Sequence, residues 1–483
     1  MEPAYDAVII GSGLGGLTCG AFLAKAGMRV CVLEQHTAIG GYAHCFHRRG
    51  YRFDIGIHSV PMGRGGVVRH LLERLGCADA VTCLPLDGIY HVTTPGLSFT
   101  IPASESAIRS VLTERFPREK QNLKKLFDIA RTYHGIFATP FLEDRPAAAL
   151  YPTRESIAHM NGTSYQDFIS GIIGDESLRT ILFSQWPYAG IPPSQGSAIF
   201  LLMAFAMHVF EGSHYVEGGF SRLAEALGSV IRGCGSIIRT ASRVVQIIGD
   251  GRRISRVALD SGEEITARVF ISNISPYHAI ELMRGGACYS RIWEKRLARL
   301  NPSVSCIAVY LGMRRDPSSI IRHPVVNWFS STDYSSIYAK LMANPGSCHD
   351  HLILLTPPCG ADARTMTLLC FACGRHAIDW AHEKQRCAER MLARAEELYP
   401  GIRGAVDVME IGSPSTFARY TGNTHGALFG FENACGIYAE AKLPVKMHLD
   451  NFYRTGHWGL SGGGVWNVMA NGYRVSQQAL GET

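Results

Sequence analysis

Apolar residues enter this chain as short unbroken runs. Asp6-Ala-Val-Ile-Ile10 and Arg29-Val-Cys-Val-Leu33 each read as a strand buried on both faces. A strand with one wet face would alternate polar and apolar positions instead. Between them, Leu17 to Ala26 carries helical patterning, with Gly27 as its stop. Further on, Ile89 to Val92 and Leu97 to Ile101 are strand-like, and helical patterning takes over from Glu105 to the neighbourhood of residue 200. There the run from Ala198 to Phe210 is apolar on every face. It falls short of the roughly 20 residues that cross a bilayer. A buried helix is the plainer reading; the wall of an apolar tunnel and a membrane-dipping element are the alternatives. Strands follow at Ser303 to Leu311, His351 to Thr356 and Thr365 to Cys373, then a helix near Ala377 to Tyr399 and a last one from Trp466 to Leu480.

The first strand runs straight into Gly11-Ser-Gly13-Leu14-Gly15-Gly16, and the second ends at Glu34, 18 residues after Gly16. Strand, glycine turn, helix, strand and acid within about 30 residues form the dinucleotide-binding fingerprint in its required context. Gly11 permits the tight turn, Gly13 lets backbone approach a pyrophosphate, and Gly16 lets helix and strand pack closely. The helix presents its positive end to the phosphates. Glu34 can accept from ribose hydroxyls and would repel a 2′-phosphate. Leu14, Gly15 and Gln35 complete the predicted nucleotide contacts.

The continuation separates FAD from NAD. After Glu34 come Ile39-Gly40-Gly41-Tyr42 and then Arg48 to His58, which includes Gly56. A second glycine pair gives another close backbone approach, suited to a longer ligand. These residues resemble the FAD-binding opening of the phytoene desaturase, carotenoid isomerase and retinol saturase family, within a wider class that includes flavin amine oxidases. The resemblance returns at Tyr215 to Leu227, which carries Gly218-Gly219, and through Ile237 to Asn273. It implies that Val244 meets the adenine through its backbone and that Asn273 ends a strand reaching the cofactor. It returns last at Asn451 to Val465, where Gly456, Gly463, Gly464 and Val465 open the terminal helix. In the resembled family that helix end points at the pyrimidine side of the flavin, where its partial positive charge stabilises the anionic reduced ring. One departure stands out: His457 follows Gly456 where many of the wider class carry an acid for the ribityl chain.

The fold class expected is α/β: a Rossmann-like FAD-binding domain of the glutathione-reductase type with an interleaved α+β substrate domain. Residues 1–85, 215–285 and 445–483 would form the first, and 86–214 and 286–444 the second.

A flavin carries redox chemistry itself, so protein acids and bases are optional. His58 and His457 are the candidate catalytic residues, as proton donors or hydrogen-bonding groups, because both sit in segments expected near the ring. His208 and His425, like most of the 19 histidines, have structural roles as the plainer reading. Tyr188, Arg419, Tyr420 and Trp458 are candidate substrate contacts, Arg419 and Tyr420 by resemblance. The resemblance implies desaturation, saturation or isomerisation at carbon–carbon bonds of a lipophilic, polyene-like molecule. Two alternatives stay open: a flavin amine oxidase, with Trp458 and Tyr420 as part of an aromatic cage, and a membrane-peripheral lipid-binding flavoprotein without turnover.

Bulk properties narrow this only slightly. A net charge of +6 without basic tracts excludes a nucleic-acid partner but leaves a peripheral membrane contact open. No basic-then-apolar leader precedes the first strand, so the 14 cysteines are expected as reduced thiols of a cytoplasmic protein. Cys370 and Cys373, three apart in a predicted strand, would face opposite ways, and no metal cluster is foreseen. The oligomeric state stays open.

Overall fold

A computed structural model describes residues 3–143, 154–357, 364–376, 378–437, 443–459 and 462–481. Its organising element is the strand Glu264–Ser272. The first half alternates between wet and buried residues, and there it pairs antiparallel with Ile254–Leu259, which pairs in turn with Val244–Gly249. From Val269 onward every residue is buried. That half lies between two parallel neighbours, Tyr5–Ile10 on one side and Phe452–Arg454 on the other. The parallel sheet continues through Val30–Leu33 to Ile237–Arg239. Strands from the beginning, middle and end of the chain therefore share one sheet, and the nucleotide turn and the closing segment emerge at the same edge.

A second seven-stranded sheet has the order Val406–Gly412, Ser305–Met313, Thr365–Ala372, His351–Leu355, Val325–Phe329, Gly88–Thr94, Leu97–Pro102. Four of its central strands are buried at every residue. The helix Trp380–Leu398 packs on one face. On the other, Ile353, Leu369 and Phe371 face a cavity. The register predicted for Cys370 follows: it lies between Leu369 and Phe371 and so faces away from the cavity.

The predicted elements recur with shifted ends. The segment after Ile237 holds two strands, Ile237–Arg239 and Val244–Gly249. The start expected for the helix near Ala377 lies outside the described residues, as do Leu460 and Ser461 in the closing segment. The apolar run is the helix Ala198–Glu211, buried along almost its whole length. Among the described residues no helix is long and apolar enough to cross a membrane, and no group of three His, Cys, Asp or Glu could hold a metal. The described cysteines are all unpaired thiols.

Candidate functional site

A cavity of about 340 Å³ is lined by residues of both sheets. At one end stand Gly11, Gly13, Leu14 and Gly15, with Glu34, Gln35, Gly40, Gly41 and Val244 beside them. Glu34 is 8% exposed; the amide and hydroxyl of Ser12 donate to its Oε2 at 2.9 and 2.6 Å, and the His36 amide to Oε1 at 2.8 Å. Among the described residues it is the only carboxylate on the cavity wall.

The opening and closing turns touch. A β-carbon on Gly15 would stand 2.6 Å from the Gly456 Cα, and one on Gly13 would stand 2.7 Å from the Asn273 side-chain nitrogen. Asn273 lies against Gly13, Gly15, Gly16 and Gly456 at once. Its side chain therefore keys the two turns together, and glycines leave it the room.

Two helices begin at this junction, Leu14–Lys25 and Val465–Leu480. Neither has a side-chain cap, and neither carries an acid in its first turn. Their first backbone N–H groups are left for an external acceptor, and their positive ends are not neutralised. Gly463, Gly464, Val465, Trp466 and Asn467 all line the cavity. This donor set fits FAD: an acid for the ribose, one helix end for the pyrophosphate, and a second helix end for the ring. When bound, FAD supplies the redox chemistry, and the protein supplies its orientation and electrostatics.

The other end is apolar. Phe200, Met203 and Met207 from the buried helix face Ile353, Leu369 and Phe371 from the second sheet. No lysine lines the cavity among the described residues.

His58 and His457 both line this cavity, together with Gly56 and Tyr188. Burial pushes each imidazole down to about 4, against an ordinary value of 6.5. Both are uncharged at neutral pH, and each would act there as a neutral imidazole with one N–H and one lone pair. For His457 the tautomer can be deduced. Asn423 receives the Trp458 indole N–H at 2.8 Å, which only an oxygen can accept. His457 Nε2 lies 3.2 Å from that same Oδ1 and must be the protonated nitrogen. Its Nδ1 is then an acceptor, the function that an acid would perform toward ribityl hydroxyls.

Three expectations are corrected. Trp458 is 1% exposed and lies outside the cavity, packed at 5.0 Å against Phe431, because its indole turns back to Asn423. Arg419 is exposed and lies outside too, its guanidinium 4.7 Å above the Tyr420 ring. Tyr420 does line the cavity, but at the nucleotide end, where its carbonyl accepts from Gln35 at 3.3 Å and its ring meets His36 at 5.6 Å. Gly16 is absent from the wall and makes no cofactor contact there; a β-carbon would stand 3.0 Å from that of Asn273, in agreement with the packing role read for it. The Gly218-Gly219 turn also stays away from the cavity; it is fastened to Asp54, which accepts from the Phe220 amide at 3.1 Å and the Tyr215 hydroxyl at 2.8 Å.

Sequence reasoning missed Ser12, Asn423 and His208 as cavity residues. Ser12 lay inside the turn already read and Asn423 three residues after Tyr420, so both had a local signal. His208 was hidden in an all-apolar helix.

Residues 14–431 match the family described as flavin containing amine oxidoreductase. The chain is 25% identical to the all-trans-retinol 13,14-reductase of Macaca fascicularis, over 93% of this chain and 82% of that one. It is 24% identical to a lycopene-forming phytoene desaturase of a Paracoccus strain, over 99% and 98%. The crystal structure of an oxidoreductase from Methanosarcina mazei superposes with a TM-score of 0.65 at 19% identity, over 98% of this chain and 100% of that one, and so shares the fold. With well over half of its length matched, and with two uncapped helix ends and a buried acid framing one cavity, the chain belongs to the flavin-containing amine oxidoreductases.

Proposed function

We propose that this FAD-dependent oxidoreductase desaturates, saturates or isomerises carbon–carbon bonds in a lipophilic, polyene-like substrate. The observation that carries the reading is the makeup of the cavity. A cofactor end built from backbone N–H groups and Glu34 continues into an end built from Phe200, Met203, Met207, Ile353, Leu369 and Phe371. That apolar end would exclude water and hold a hydrocarbon chain by burial alone, at about 25 cal/mol per Å². The named activities of the retinol reductase and phytoene desaturase relatives agree with it.

In this reading Gly11 to Gly15, Glu34, Gln35, Gly40, Gly41, Tyr42 and Val244 hold the nucleotide, and Gly456, His457, Gly463, Gly464 and Val465 hold the flavin. Residues 1–85, 215–285 and 445–483 make up the cofactor domain, and 86–214 and 286–444 the substrate domain. Peripheral contact with an anionic membrane belongs to the same proposal, supported by the charge of +6 and the apolar cavity.

Amine oxidation is the weaker reading. Trp458 no longer offers a cage, and no carboxylate sits among the apolar residues to meet an ammonium. The deciding experiment mixes anaerobic holoenzyme, oxidised or reduced, with polyenes and with amines, and follows the flavin spectrum and the products. Flavin turnover or double-bond rearrangement with polyenes supports the proposal. Bleaching by amines alone overturns it.

A further inference from the structure

This inference rests on the reading just given and narrows its substrate. Within the apolar end lies a buried polar atom with nothing to bond. His208 is 7% exposed, lines the cavity, and its Nδ1 has no hydrogen-bond partner. Native proteins satisfy nearly all buried polar groups, so an orphan on a cavity wall asks for a ligand.

Most polar groups around it are committed elsewhere; Ser59 Oγ, on the same wall, is a second buried atom without a hydrogen-bond partner. The Tyr188 ring meets His208 at 5.3 Å, but its hydroxyl donates to the Ile89 carbonyl at 3.2 Å. His58 meets Tyr188 at 5.3 Å, with its Nδ1 3.3 Å from the Gly56 carbonyl. Glu211, one turn along the same helix, accepts from the Trp466 indole at 2.9 Å, the Val67 amide at 3.1 Å and the His134 ring at 2.8 Å. No carboxylate on the wall is therefore left to hold an ammonium near His208.

His208 is itself uncharged. Burial, with His58 and His214 adding to it, pushes the imidazole down to about 3. A neutral imidazole has one N–H and one lone pair, and it matches a group that is also neutral and can donate or accept. A carboxylate would find no cation beside it, and a pure hydrocarbon would leave Nδ1 buried and unpaired.

We propose that His208 anchors a neutral oxygen function, a hydroxyl or a carbonyl, on the otherwise apolar substrate. The enzyme then selects oxygenated polyenes over polyene hydrocarbons.

The test uses FAD-loaded, oxidised enzyme and reads binding from the perturbation of the flavin absorption band, without turnover. Three polyene alcohols of increasing length, all-trans-retinol among them, are titrated against the hydrocarbons that carry a methyl group in place of the alcohol. The expected result is binding of at least one alcohol about tenfold tighter than its hydrocarbon, the worth of one good hydrogen bond. His208→Leu should erase that preference. His208→Asn, which keeps an amide where Nδ1 stood, should retain most of it. Equal affinities in the unaltered enzyme overturn the inference, as does an unchanged preference in His208→Leu, and both leave the polyene reading intact. If no member of either series binds, that reading fails and the inference falls with it.

Discussion

Gly15 and Gly456 lie 441 positions apart in sequence, yet a β-carbon on the first would stand 2.6 Å from the Cα of the second. The contact is backbone against backbone, so no rotamer change can relieve a larger residue there. Gly456 adds a left-handed conformation, φ +80°, that a side chain disfavours. Gly15→Ala and Gly456→Ala are each expected to destabilise the protein by about 1–3 kcal/mol. They should also lower the flavin-to-protein ratio after purification. Thermal denaturation and absorbance measure both, and unchanged values in either variant would remove the convergence of the two turns from the account.

By the family resemblance His457 takes the place of an acid that binds the ribityl chain, and the Asn423–Trp458 hydrogen bond fixes it with Nδ1 as an acceptor. His457→Leu should weaken FAD binding about tenfold. His457→Asn, which can place an amide oxygen near the old Nδ1, should recover part of the loss. Reconstitution of apoprotein followed by flavin fluorescence gives both constants. An unaltered constant for His457→Leu would assign the residue to packing against Tyr42, 5.8 Å away.

Stability should depend on pH through the buried imidazoles of the cavity. His58 and His457 are pushed down to about 4 and His208 to about 3, against 6.5. Below pH 6.5 the unfolded chain takes up protons that the folded chain refuses, so unfolding is favoured as pH falls. Each group contributes at most about 1.4 kcal/mol per pH unit inside its window. Denaturant midpoints should be level above about pH 6.5 and decline from there toward pH 4. His58→Gln should decline less steeply than the parent; identical slopes would mean that His58 is charged in the folded protein.

The nucleotide site was legible because it is local: strand, turn, helix, strand and acid lie between Tyr5 and Glu34. The second sheet was legible only in pieces. Gly88–Thr94 pairs with Val325–Phe329 more than 200 residues away, and no short-range pattern announces that partner. Side-chain direction was the main source of error. Trp458 sits beside a cavity residue yet turns to Asn423, and Arg419 lies over the Tyr420 ring outside the cavity. For Trp458 a hydrogen bond to a residue 35 positions away decided the outcome. His208 carried no local signal at all, since only the folded chain leaves its Nδ1 without a partner.

The central claim is that one ligand spans both glycine turns, and hydrogen exchange on the apoprotein tests it most directly. Adding FAD should slow exchange at the amides of residues 13–17 and 464–467 together, while ADP should slow only the first group. Protection confined to the first group with FAD would contradict the account.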